Sequence, residues 1–158
     1  MDGASGLRLL PRWPRHLGRS WLPRRFCRRA IILGVILTLR TISLLQGFYY
    51  VATGLWPLVS MDTFVAVTGP KTDLWLVRTV SLLIISIGAA LLLSAKMNRV
   101  TAPIVILAIS AAACLGWVDA NYSLRGIIWP VYLMDAFAEA LLIIGWATAY
   151  LLSRRRAR

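Results

Sequence analysis

The sequence holds a single histidine, His16, and it stands among basic residues ahead of the first long apolar run. A haem or metal centre held by histidine within the apolar part of the chain is therefore excluded by count, and no cofactor or metal is expected. Cysteine is equally scarce. Cys27 lies in the basic N-terminal segment and Cys114 within the third apolar run, and the two form no CxxC pair. That spacing argues against thiol-redox chemistry. Acidic residues number six against 18 Lys and Arg, and charged residues make up only 15% of the chain. A soluble domain of this length carries more charge and shorter apolar runs.

What the chain has instead is hydrophobicity: 59% of its 158 residues are apolar and the mean hydropathy is +0.71. Four apolar runs stand out, at about 30–56, 74–95, 102–118 and 130–152. At a rise of ~1.5 Å per residue, the second and fourth give roughly 33 Å, enough for a hydrocarbon core of ~30 Å. The expectation is one all-α domain, an integral membrane four-helix bundle. It is preceded by a basic segment (1–29) and followed by a basic tail (153–158).

The positive charge is placed asymmetrically. Eight arginines precede the first run, Lys96 and Arg99 occupy the second loop, and four arginines close the chain. The first loop holds only Lys71, offset by Asp62 and Asp73, and the third only Arg125, offset by Asp119. By the positive-inside rule both termini and the second loop are cytoplasmic, in a cell inner (plasma) membrane. Trp56, Trp75, Trp117 and Trp129 all fall at the expected outer ends of the runs, as an interfacial aromatic belt requires. The basic segment, with Pro11, Pro14 and Pro23, reads either as a topology signal or as a surface for anionic lipid. Nucleic acid is not an expected partner. Gly69-Pro70-Lys71-Thr72 lacks the glycine spacing of a phosphate loop. The tight loop Lys96–Arg99 predicts that the second and third helices are antiparallel neighbours.

Ionisable residues inside apolar runs carry most of the information. A charge at the bilayer centre costs at least ~2.5–3.5 kcal/mol, so it needs a partner or a task. Counted from the ends of their runs by helical rise, Arg40 and Glu139 both fall near the midplane. Arg78 and Asp135 both lie one to two turns from the outer edge. Two stacked pairs are expected, Arg40 with Glu139 and Arg78 with Asp135. On the first helix Arg40, Ser43, Gly47 and Tyr50 recur at helical spacing, with Gln46 and Tyr49 beside them. The candidate buried polar site is therefore Arg40, Arg78, Asp135, Glu139, Tyr50 and Gln46. Lys71, Asp73, Asp119, Tyr122 and Arg125 are the outer-loop candidates. Such a layer serves as a salt-bridged strut, as a site for a ligand, proton or lipid headgroup, or as a surface for a membrane-protein partner.

Two stretches carry a resemblance: Gly54-Leu55-Trp56-Pro57 with the run from Val67 to Arg78, and Tyr122 to Ile127 with Val131 to Ala136. They resemble an uncharacterised family of small bacterial four-span membrane proteins, from which no activity carries over. The first run has an arginine, a glycine seven residues later and an aromatic-rich end, and is also similar to DoxX-like four-helix proteins. That likeness implies an accessory role in a redox or respiratory assembly. The acidic residues and Trp146 resemble those of isomerase-like four-span proteins, in which Glu139 and Asp135 would act on a hydrophobic substrate. The residues themselves favour non-enzymatic binding of a lipid-like or small polar molecule, or an accessory role. An isomerase-like enzyme and a proton-coupled small transporter are the alternatives.

Overall fold

The structure, a computed structural model, describes the backbone of residues 24–157 and the side chains of residues 38–153. His16, the Cys27 side chain, the lipid contact expected of the basic segment and the arginine side chains of the tail lie outside what is described. Five helices follow in chain order: α1 (Arg24–Val59), α2 (Met61–Thr68), α3 (Leu74–Lys96), α4 (Ala102–Leu124) and α5 (Tyr132–Ala157). Four stretches, Thr38–Val59, Leu74–Lys96, Ala102–Leu124 and Tyr132–Ser153, are long and apolar enough to cross a membrane. The all-α expectation holds among the described residues.

Each break has a local cause. Gly69 adopts φ +88° and its N–H closes α2 on the Val65 carbonyl at 2.9 Å, and Pro70 cannot continue the helix. Asp73 precedes α3, but its side chain does not cap the helix; its carboxylate accepts from the Thr72 hydroxyl instead. Between α3 and α4, Asn98 takes the left-handed conformation at φ 52°, and the Arg99 N–H returns to the Ser94 carbonyl at 3.0 Å. Those are the features of a helix C-terminal motif. Pro103 then sits in the first turn of α4, where its missing donor costs nothing. Gly126, at φ +70°, ends α4, and the Ile127 N–H reaches back to the Tyr122 carbonyl at 3.0 Å.

The long helices alternate in direction. The end of the bundle where α1 finishes and α5 starts is called here the far end. α1 is central, packed against α3 on one side and α5 on the other, and α4 packs on α5. α3 and α4 make little contact despite their tight connection, which corrects the expectation that they are close neighbours. Glycines explain the difference. Gly47 and Gly54 lie seven residues apart on one face of α1, and Gly88 and Ser81 match them on α3. A Cβ on Gly47 would stand 3.0 Å from the Gly88 carbonyl oxygen, and one on Gly54 would stand 2.8 Å from that of Ser81. This backbone-to-backbone approach commits α3 to α1. α4 and α5 approach closely at Gly116, whose absent Cβ would lie 3.1 Å from the Glu139 Cβ.

Burial is inverted relative to a soluble protein. Ser43, Gln46, Ser81, Asp119 and Glu139 are buried, while Phe48, Leu83, Met134 and Phe137 are exposed. Such an apolar exterior around a polar interior suits a bundle whose solvent is lipid. The small apolar core lies near the α3–α4 turn, where Leu91, Val105, Ala108 and Trp146 cluster.

The glycine seam gives a direct test. Gly88→Ala forces α1 and α3 apart and is expected to destabilise the purified protein by ~1–3 kcal/mol. Ala89→Val, at the neighbouring exposed position, is expected to leave the thermal midpoint in detergent unchanged.

Candidate functional site

Three polar layers climb α1 at helical spacing. In the lowest, the Ser43 hydroxyl donates to the Leu91 carbonyl of α3 at 2.9 Å. One turn further, the Gln46 amide donates to the Ala108 carbonyl of α4 at 2.9 Å and accepts from the Trp146 indole of α5 at 2.5 Å. Gln46 and Trp146 are completely buried, so α1, α4 and α5 are tied at one level. In the third layer the Tyr50 hydroxyl donates to Glu139 Oε2 at 3.0 Å, and the Tyr49 hydroxyl donates to Asp135 Oδ1. Asp119 of α4, buried, lines the same cavity as Asp135 and Glu139.

Above this layer lies a cavity of about 550 Å³ at the far end. Its floor is Tyr49, Tyr50, Asp119, Asp135 and Glu139. Its walls are largely apolar, with Leu76, Val77, Val80 and Ile84 from α3 and Leu115 from α4. α2 and the α4–α5 turn form its roof, through Phe64, Thr68, Ile128 and Trp129. Gly69 makes the roof possible, because a Cβ there would lie 2.7 Å from the Trp129 ring. The Trp56 indole holds α2 in place by donating to Thr63 at 3.0 Å, and its ring meets Phe64 edge-on. Glu139 also borders a second recess of about 250 Å³ between α4 and α5, walled by Ala112, Gly116 and Ala136.

The structure brings together Gln46, Tyr50, Asp135 and Glu139 of the expected buried site, but neither arginine. Glu139 is held by Tyr50, ten residues along α1 from Arg40, which separates them by roughly 15 Å along the axis. The buried Nε of Arg40 has no hydrogen-bond partner. The tie of Gln46 to Ala108 and Trp146 sets the register of α1 against α5, and it brings Tyr50, not Arg40, to the level of Glu139. Arg78 is exposed, and Asp135 is held by Tyr49. Val77, Ser81 and Ile84 lie on the cavity face of α3, and Arg78 does not line the cavity.

Of the outer-loop candidates, Lys71 and Asp73 border the cavity mouth. Lys71 Nζ donates to the Thr68 carbonyl at 2.9 Å and lies 4.9 Å above the Tyr132 ring. Tyr122 and Arg125 are exposed and do not line the cavity. Asp119 is no loop residue: α4 runs on to Leu124, and Asp119 and Ser123 face inward one turn apart. The polar run from Asp119 to Ser123 reads as a loop because its two buried members are separated by half-buried Ala120 and Asn121 and exposed Tyr122. In the sequence Tyr49 stands beside the α1 stripe and outside the expected buried set. Its position three residues beyond Gln46 is the signal that places it on the floor. Among the described residues, no three Asp, Glu, His or Cys side chains converge to hold a metal ion.

Replacing Gln46 by leucine removes the partner of the Trp146 indole in an apolar layer. The expected loss of stability is ~1–3 kcal/mol, the cost of a buried donor left unpaired. Adding Trp146→Phe, which removes that donor, is expected to return part of the loss in thermal unfolding.

No protein-family model, curated protein or solved structure matches the chain.

Proposed function

We propose that the protein is a multi-pass inner-membrane protein, with both termini cytoplasmic, that binds a lipid-like molecule in the far-end cavity. The observation that carries this reading is the cavity's division into an apolar wall and a polar floor. Membrane-embedded ligand sites have that form, with apolar surface for the body and a few placed polar groups for orientation. The side between α3 and α4 supports entry from the bilayer. The two helices make little contact there, and Leu76 and Val80 line the cavity while remaining exposed. Orientation rests on the excess of Lys and Arg at the terminal end and in the α3–α4 turn. Gln46 with Trp146, Tyr49 with Asp135 and Tyr50 with Glu139 are hydrogen-bonded from helix to helix, which supports a preformed floor.

One observation favours a second reading. Asp119, Asp135 and Glu139 line one cavity, and carboxyls grouped in a cavity are suited to general acid–base work. An isomerase-like enzyme acting on a hydrophobic substrate would use them to move a proton. Such an enzyme would bring deuterium from heavy water into its substrate, and Asp135→Asn would abolish the exchange.

Binding is tested by photolabelling with a diazirine-bearing alkyl alcohol in lipid nanodiscs, followed by peptide mapping. Adducts are expected within residues 76–84, 115–119 and 127–132, and Val80→Trp, which fills the cavity, is expected to remove them. Adducts spread evenly over the exposed apolar surface, including Phe48 and Leu83, and indifferent to Val80→Trp would contradict the proposal.

A further inference from the structure

Acidic side chains around the cavity outnumber basic ones. Four carboxyls border it, those of Asp73, Asp119, Asp135 and Glu139, against one cationic side chain, that of Lys71. Lys71 is already engaged, with its ammonium on the Thr68 carbonyl and over the Tyr132 ring. The arginines expected to neutralise the floor stand elsewhere. Tyr49 and Tyr50 donate neutral hydrogen bonds to Asp135 and Glu139, which orient the carboxyls without cancelling charge. Buried charge is tolerated where it is paired.

We infer that the molecule bound in this cavity is a cationic amphiphile, whose ammonium group sits between Asp119, Asp135 and Glu139 while its chain lies along α3. The inference rests on the binding reading above and assigns the headgroup of that ligand. Two independent features agree with it. The space above the floor is a cavity, open between α3 and α4, large enough for an amphiphile's head and upper chain, and not a surface cluster of acids. The mouth already accommodates an ammonium, that of Lys71 against Tyr132, the aromatic setting that favours organic cations. Tyr49 and Tyr50 present the same chemistry deeper in. Lys71 then acts as a selectivity element: it stands at the entrance and disfavours a second cation until its ammonium swings away. A proton shared between Asp119 and Asp135 would be the other way to relieve the charge, and it would confer no preference among headgroups.

The test uses three diazirine-bearing dodecyl probes, a trimethylammonium, an alcohol and a carboxylate, on the full chain in nanodiscs of zwitterionic lipid. The trimethylammonium probe is expected to label the cavity peptides at roughly tenfold lower concentration than the alcohol, the change that one charge-assisted contact supplies. The carboxylate is expected to label least. Asp119→Asn combined with Asp135→Asn, which keeps size and shape, is expected to abolish the preference while retaining labelling by the alcohol. Lys71→Gln, outside the floor, is expected to strengthen labelling by the cation, which keeps the test decisive if the double variant does not fold. Equal labelling by cation and alcohol, or a preference that survives both asparagines, would overturn the headgroup assignment and leave the binding reading standing. Failure of all three probes to label the cavity would overturn both.

Discussion

An amide buried in an apolar bundle has to find all its partners inside the bundle, and Gln46 is the residue on which this requirement falls. It meets it by bonding α4 through a backbone carbonyl and α5 through the Trp146 indole. Neither partner can be exchanged for water, so sliding α1 by one turn would strand a buried donor and acceptor at once. The register of three helices follows from that level. One turn above it, Tyr49 and Tyr50 necessarily meet residues that α5 presents there, Asp135 and Glu139. The glycine seam then adds α3, locked to α1 through contacts of backbone on backbone.

The cavity is a consequence of how these ties are distributed. α3 is committed to α1 and α4 to α5, so nothing draws α3 and α4 together above the Leu91 and Val105 contact near their turn. Space opens between them toward the far end, and α2, held by Trp56 and seated against Trp129, roofs it. The same geometry leaves the carboxyls of Asp119, Asp135 and Glu139 facing tyrosines rather than arginines. A bundle built only for stability has no use for that arrangement, since apolar side chains of similar volume stabilise as well or better. The floor is where the structure departs from economical packing, and functional sites are where such departures are expected.

Much of this was legible in the residues. The four apolar runs, the tight turn at Lys96–Arg99, and the stripe of Ser43, Gly47 and Tyr50 with Gln46 and Tyr49 beside it all follow from period and breaker; Arg40, on the same stripe, does not reach the floor. Asp135 and Glu139 were recognisable as interior from their place in an apolar helix. The partners were not, because pairing by depth needs the register between two helices, and register is fixed by Gln46 and Trp146, residues exactly 100 apart that no local pattern joins. Opposite charges offered a simpler pairing, but Arg78 lies off the cavity face and Arg40 lies some ten residues too low. Asp119 was hidden for another reason. A polar stretch at the end of an apolar run reads as a loop, yet nothing breaks the helix before Gly126, and its polar members face the cavity.

The central claim is that tyrosine, and not arginine, receives the buried carboxylate of Glu139. Paired double-mutant cycles test it most directly, with Glu139→Gln combined once with Tyr50→Phe and once with Arg40→Gln, read by thermal unfolding in detergent. An interaction energy of at least ~0.5 kcal/mol is expected for Tyr50 with Glu139, and additive effects for Arg40 with Glu139. Strong coupling to Arg40 with none to Tyr50 would contradict the register, and with it the arrangement of the cavity floor.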